Sequence, residues 1–272
     1  MNWIALRVTP ESNRDGVIAA LFESGSQGVH EDGPTVVTHF PADARIIDIR
    51  DAIARADPQA SIAITEAPDT DYSEWRASVS AHEVGELVIT PPWLASGYDL
   101  EKTIVVDPSM AFGTGEHPTT RGVMRLMQGV VHAGDMVADL GAGSAVLSIA
   151  AARLGASRVA AVEIDHDSIG NAEDNVDANA VGDHVEVIEG DATIILPLLA
   201  PVRVVLANII SSVLIPMLPM IRESLAPRGQ AILSGILVDE RATMVEALDA
   251  GGWIVEGEDT EDVWWSVQIA PR

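Results

Sequence analysis

MVADLGAGSAVLSIAAARLG, residues 136–155, is the stretch on which the fold turns. It opens as a short apolar run closing on Asp139–Leu140, passes through the glycine turn Gly141–Ala142–Gly143, and continues as an apolar stretch of helical length. A strand, a glycine turn and a helix in immediate succession place a turn at the carboxyl end of a strand. There, backbone N–H groups come close to a ligand. Twenty-two residues after Gly141 stands Glu163, at the end of the next strand, RVAAVEID. An acid at that place accepts both hydroxyls of an adenosine ribose.

Two cofactor classes use this geometry. The dinucleotide fingerprint G-x-G-x-x-G/A is broken, because its sixth position is Val146. Proteins that bind S-adenosylmethionine carry an acid followed by G-x-G-x-G. Asp139, Gly141 and Gly143 satisfy that pattern, and Ala145 replaces its last glycine. The smaller departure favours S-adenosylmethionine.

Working outward, helices and strands alternate from residue 119 to the end. TTRGVMRLMQGVV is helical, SIGNAEDNVDANAV is helical, HVEVIEGD and PVRVVLANII are strands, SVLIPMLPMIRESLAP is a helix with internal prolines, GQAILSGI is a strand, ERATMVEALDAG is a helix, and WIVEGEDTEDVWWSVQIA is a strand pair. Alternating βα units imply an α/β, Rossmann-like, doubly wound and mainly parallel sheet. Residues 1–67 follow a different order, βαββαβ, the ferredoxin-like α+β pattern. Ser12 is placed to cap its first helix, which Gly25 ends. Residues 68–81 read as a polar linker, and residues 82–272 as the catalytic domain, opened by the strands GELVITPPW and KTIVVDP.

Composition excludes several chemistries. The chain has 272 residues and no cysteine, so disulfides, thiolate metal sites and cysteine nucleophiles are absent. Its formal charge is −25, and of its 16 basic residues only Lys102 is lysine. Such a surface repels nucleic-acid phosphates and suits a basic protein partner; salt adaptation accounts for it equally well. The N-terminus has no signal-peptide pattern, and no apolar stretch is long enough to span a bilayer. The expectation is a cytoplasmic protein without membrane or nucleic-acid contact, acting as a monomer. His and carboxylate spacing offers no metal site.

Further candidates lie around the turn. In DPSMAFGTGEHPTT, residues 107–120, Gly113 and Gly115 precede a helix start, Phe112 can wall a pocket, and Thr119 and Thr120 either cap the helix or meet a ligand carboxylate. His117 is a base, a pocket wall or a loop histidine. Asp191 ends a third strand and either takes the adenine amino group or caps a helix. Asn208, ending LANII, either holds an amine through its side-chain carbonyl or is a turn residue.

DPSMAFGTGEHPTT, VADLGAGS, VEID, VLANII and LSGIL, in this order and spacing, resemble the bacterial ribosomal protein L-eleven methyltransferases over nearly the whole chain. AFGTGxHPTT is the specific part, because generic methyltransferases lack it. The resemblance implies a class I S-adenosylmethionine-dependent methyltransferase acting on lysine ε-amines and an N-terminal α-amine of ribosomal protein L-eleven, with S-adenosylhomocysteine as product. It also implies that the 107–120 loop closes over the cofactor, with Thr120 and the Gly141 turn contacting it, Glu163 on the ribose, and Asn208 on the methionine end or the incoming amine. The N-terminal unit would bind the protein substrate, with the Trp75–Arg76 connector as its hinge. This chain reads GAGSA where the family's turn reads like GCGSG, so Ala145 adds a methyl where ligand and backbone approach. Val79 and Ala81 stand where the connector usually carries aromatic and proline residues. The competing readings are a methyltransferase for another protein or small amine, a non-catalytic module of the same fold, and, against Val146, a nicotinamide-dependent oxidoreductase.

Overall fold

Residues 3–26, 29–41, 44–66, 79–106, 115 and 117–272 are described in a computed structural model. The chain divides into two compact units, Met1–Ser78 and Val79–Arg272.

The first unit is built from β1 (Trp3–Thr9), α1 (Arg14–Glu23), β2 (Val29–Asp32), β3 (Thr35–Pro41), α2 (Ile46–Ala56) and β4 (Ser61–Glu66). Its sheet has the antiparallel order β2-β3-β1-β4. This is the ferredoxin-like arrangement expected from the βαββαβ pattern. Alternate residues of β1 and β3, namely Leu6, Val8, Val36 and Phe40, bury against Val17 and Leu21 of α1 and Ile49 and Ile53 of α2. The cap of α1 is Asn13, not Ser12. The Asn13 side chain accepts from the Gly16 N–H, while the Ser12 N–H and hydroxyl both donate to Asp57, at 2.8 and 3.2 Å. Asp57 ends α2 and also takes the N–H groups of Glu11, Asn13 and Gln59, which turns Ser12 away from the helix. These donors hold the Asp57 carboxyl well below the usual carboxylate range.

The second unit begins with a small sheet of β5 (His82–Val84), β6 (Leu87–Thr90) and β7 (Thr103–Val105). Its main sheet holds β8 (Met136–Leu140), β9 (Arg158–Glu163), β10 (Val185–Glu189), β11 (Val202–Asn208), β12 (Leu225–Leu237), β13 (Trp253–Glu261) and β14 (Trp264–Pro271). The order is β10-β9-β8-β11-β12-β14-β13. The first five positions are parallel, and β14 runs antiparallel between β12 and β13. The helices are α3 (Pro118–Met127), α4 (Val146–Arg153), α5 (His166–Ala178), α6 (Ala192–Leu199), α7 (Ser211–Ser224) and α8 (Arg241–Ala250). This is the doubly wound Rossmann-like sheet expected, with two additions: the strand β5 and the helix α6.

The inner strands are buried on both faces and read as near-continuous apolar runs. Side chains alternate between the faces. Val137, Val159, Ala161, Val204 and Leu206 join one core with Met124 and Met127 of α3 and Ile149 of α4. Ala138, Leu140, Ala160, Val162, Val205 and Ala207 join the other, with Leu196 of α6, Leu214 and Ile221 of α7 and Met244 of α8. The same period of two carries on to the strand ends. Asp139, Glu163 and Asn208 therefore share the face of α3 and α4. Among the described residues no helix is long and apolar enough to cross a membrane.

Candidate functional site

Between β8 and β11 the strand order reverses, and such a switch point opens a crevice at the carboxyl ends of the strands. Ala207 lies opposite Leu140 and Leu140 opposite Val162. One residue further on, Gly141, Glu163 and Asn208 are brought to the same edge. Asp191 follows β10 on that edge. Asn208 lies opposite Ser234 of β12. The Ser234 hydroxyl reaches the Thr119 carbonyl at 3.3 Å and the Ser266 hydroxyl at 2.7 Å, which anchors the first turn of α3 over the crevice.

The glycine turn is latched from within. Gly141 and Gly143 have φ of +71° and +52°, values that a side chain penalises. The N–H groups of Gly141 and Ala142 both donate to the Val162 carbonyl, at 2.8 and 3.0 Å. The Gly143 N–H donates to Glu163 Oε2 at 2.8 Å, and Glu163 Oε1 takes the N–H groups of Ile164 and Asp165 at 2.8 and 2.9 Å. The donors of the turn are thus spent on β9 rather than left free as the sequence suggests, and a Cβ at Gly141 would meet the Ile209 side chain at 3.2 Å. An ionised carboxylate has about four lone-pair positions, so Glu163 keeps acceptor capacity for a ligand hydroxyl.

Asp139 is buried beneath the turn and accepts a 2.7 Å hydrogen bond from Ser148 of α4. Burial pushes its pKa up to about 7, with the neighbouring Glu163 charge adding to the rise and the Ser148 bond opposing it. Ala145, at the start of α4, has φ of +62°, and its methyl lies wholly within the core. The expected close approach of that methyl to a ligand is replaced by backbone strain. A left-handed non-glycine residue costs about 1–2 kcal/mol.

The α3 side differs. His117 caps α3: its Nδ1 lies 3.4 Å from the Thr119 N–H and 2.7 Å from the Thr119 hydroxyl, and its ring meets Trp264 edge-on at 5.0 Å. Burial, and then the Arg121 charge, hold its pKa below the ordinary histidine value. Thr120 is buried, and among the described residues its hydroxyl has no hydrogen-bond partner. Asn208 is half-buried and its side chain makes no hydrogen bond among the described residues. Asp191 caps α6, taking the Thr193 N–H and hydroxyl on Oδ1 at 2.8 and 2.7 Å. These two bonds lower its pKa.

Known proteins match this chain along its length. Residues 3–271 match the family described as ribosomal protein L11 methyltransferase (PrmA). The chain belongs to the ribosomal protein L11 methyltransferase family. A relative of that name from Pelotomaculum thermopropionicum is 35% identical over 250 residues, 88% of this chain and 79% of the relative. Another, from Pediococcus pentosaceus, is 34% identical over 202 residues, 73% of this chain; the matched part spans 63% of the relative's length. A crystal structure of ribosomal protein L11 methylase from Lactobacillus delbrueckii subsp. bulgaricus superposes with a TM-score of 0.63 at 26% identity, covering 71% of this chain and all of the other. The sheet is thus a class I methyltransferase sheet, as the sequence implied.

In this member of the L11 methyltransferase family, Phe112 and Gly113 lie outside the described residues, as do Trp75 and Arg76 of the connector. Two features escaped the sequence reading. Ile164, directly after Glu163, is 69% exposed, an apolar side chain left in water at the edge of the crevice. Its only signal was its place in VEID. Ser234, inside the quoted LSGIL, binds the α3 turn through a contact between distant segments that no local pattern encodes.

Proposed function

We propose that this chain transfers methyl groups from S-adenosylmethionine to amino groups of ribosomal protein L11, the lysine ε-amines and the N-terminal α-amine. The observation that carries this reading, beside family membership, is a pair of polar groups at the switch point unengaged among the described residues: the buried Thr120 hydroxyl and the Asn208 amide. A buried hydroxyl without a partner costs about 1–3 kcal/mol, and a polar ligand at that place removes the cost.

The residues fit the cofactor. Glu163 takes the ribose beside the Gly141–Gly143 turn. Ile164 supplies an apolar wall for the adenine, and Oδ2 of Asp191, the oxygen that the Thr193 bonds leave aside, takes its amino group. Thr120 and the first turn of α3 take the charged methionine end. Phe112 and Gly113 join from the 107–114 loop, on the strength of the resemblance alone. When bound, the cofactor supplies an electrophilic methyl on a sulfonium. This chain's part is orientation and proximity, which hold the nucleophile within about 3–3.5 Å of that carbon. The Asn208 carbonyl oxygen accepts an N–H of the incoming amine and so aims its lone pair. A free lysine has a pKa of about 10.4, and desolvation in the crevice disfavours the ammonium form. His117 fixes the α3 turn; with its pKa held down it is neutral at pH 7, able to pass a proton on to water. The 1–67 unit binds the protein substrate, and the 68–81 segment connects it to the catalytic domain. The setting is the cytoplasm, and the working form is a monomer.

The test is calorimetric titration of S-adenosylmethionine, followed by mass-spectrometric assay of L11 methylation. Micromolar cofactor binding with mass increments of methyl groups on L11 is the expected result. A protein that binds the cofactor yet leaves L11 unmodified refutes the substrate assignment. Asn208→Ala should lower kcat about 100-fold while cofactor affinity stays within threefold. A parallel loss of affinity would move Asn208 to the methionine end.

A further inference from the structure

A strip of exposed apolar side chains runs beside Asn208. Ile210 and Val213, spaced i and i+3 on the first turn of α7, are 60% and 42% exposed, Leu237 and Val238 are each 39% exposed, and Val263 is 60% exposed. Hydrogen bonds make the strip continuous. The Val238 N–H donates to the Val263 carbonyl at 2.9 Å. The Glu240 carboxylate takes the Ser211 hydroxyl on one oxygen at 2.8 Å and the Leu237 N–H on the other at 3.0 Å, which ties the start of α7 to the end of β12. Leu237 stands three positions beyond Ser234, the partner of Asn208, about 10 Å along the strand. Val263 occupies a two-residue hairpin turn with Asp262, where small polar residues and glycine are the ordinary choice. A valine left 60% exposed there buries little apolar surface in the fold.

Two exposed carboxylates flank the strip, Asp239 and Asp262, neither in an ion pair among the described residues. The other acids of the hairpin are engaged: Asp259 and Glu261 by Arg125 and Arg121, Glu258 by Arg241, and Glu256 by the Gln230 and Gln268 amides. With a formal charge of −25, the chain repels a second copy of itself, an anionic membrane and a nucleic acid. A strip with an apolar floor and an acidic margin fits a cationic peptide, whose lysine and arginine stems lie on apolar surface while their charged heads reach the carboxylates.

We infer that this strip docks the lysine-bearing segment of the protein substrate and guides it to Asn208. The inference rests on the reading of L11 as substrate. Val263→Ser and the double variant Asp239→Asn/Asp262→Asn test its apolar and acidic parts at exposed positions, asparagine being a residue that tolerates the φ of +55° at position 262. Recombinant bacterial L11 is titrated calorimetrically into each protein with S-adenosylhomocysteine present, and methylation is assayed beside it. The expected result is at least tenfold weaker L11 binding by both variants, a raised KM for L11, and unchanged affinity for S-adenosylmethionine. Wild-type and variant proteins that bind L11 equally overturn the strip and leave the substrate assignment standing. If wild type binds L11 without methylating it, the activity reading fails, while tenfold weaker binding by the variants still upholds the strip. Absence of any L11 binding overturns both.

Discussion

The two sides of the switch point treat their polar groups in opposite ways. Toward β9, the donors of Gly141, Ala142 and Gly143 and both oxygens of Glu163 are paired within the chain. Toward α3 and β11, Thr120 keeps a buried hydroxyl without a partner and Asn208 an unengaged amide among the described residues. The first side is a latched frame in which Glu163 keeps only residual acceptor capacity for a ligand hydroxyl. The second carries unsatisfied hydrogen-bonding capacity, a local cost that a ligand relieves. A site of this kind weights its sides differently: the latched side holds the fold as well as part of the ligand, and the other side keeps its polar groups mainly for the ligand.

That difference can be broken by substitution. Glu163→Ala leaves the N–H groups of Gly143, Ile164 and Asp165 without their acceptor and should cost about 3 kcal/mol in the ligand-free protein, read as a lowered denaturant midpoint, together with loss of cofactor binding. A variant as stable as wild type would show that the latch is incidental.

Asp139→Asn sharpens the picture on the same side through pH. A carboxyl with its folded pKa near 7, against an unfolded value of about 3.9, binds a proton in the folded state that the unfolded chain has released. Stability therefore falls as pH rises from about 4 to 7. Asparagine keeps the Ser148 partner and removes the ionisation. Its stabilising effect should be greater at pH 8 than at pH 5 by about 2 kcal/mol, measured by denaturation at both values. Equal effects at the two pH values would show that Asp139 is ionised throughout.

On the other side, Thr120→Val should leave the ligand-free protein unchanged or up to about 1 kcal/mol more stable and weaken S-adenosylmethionine binding about tenfold. If it instead destabilises as much as Glu163→Ala, the contrast between the two sides collapses. The smallest effect belongs to Ala145→Gly. Relief of the left-handed strain, about 1 kcal/mol, is offset by the greater freedom of glycine in the unfolded chain and by the lost buried methyl, about 0.8 kcal/mol. Stability should change by less than about 0.5 kcal/mol and cofactor affinity not at all. A clear gain in affinity would return the methyl to the ligand's path.

Much of this was legible in the residues. The run-turn-run of 136–155, the acid at 163 and the alternating elements after 119 are patterns of neighbouring residues, so apolar period and turn chemistry carry them. Helix α6 stood only as the capping alternative for Asp191, because ATIILPLL is a short apolar run with an internal proline, and periodicity cannot assign such a run. Asn13 displaced Ser12 as the cap of α1 because Asp57, more than forty residues away in sequence, claims Ser12. His117, read as base, wall or bystander, is placed as a helix cap by its contact with Thr119 and by Trp264 on a distant strand.

The sequence by itself determined most of the strands and helices, the strand ends near Asp139, Glu163, Asp191 and Asn208, and through its motifs the family. Only the tertiary structure decided which polar groups at those ends are spent and which remain. That follows from register and face. Whether a carboxylate meets three N–H groups, or a hydroxyl meets none, is fixed by what the neighbouring strands and helices bring opposite it. Those partners come from chain segments that no local pattern relates.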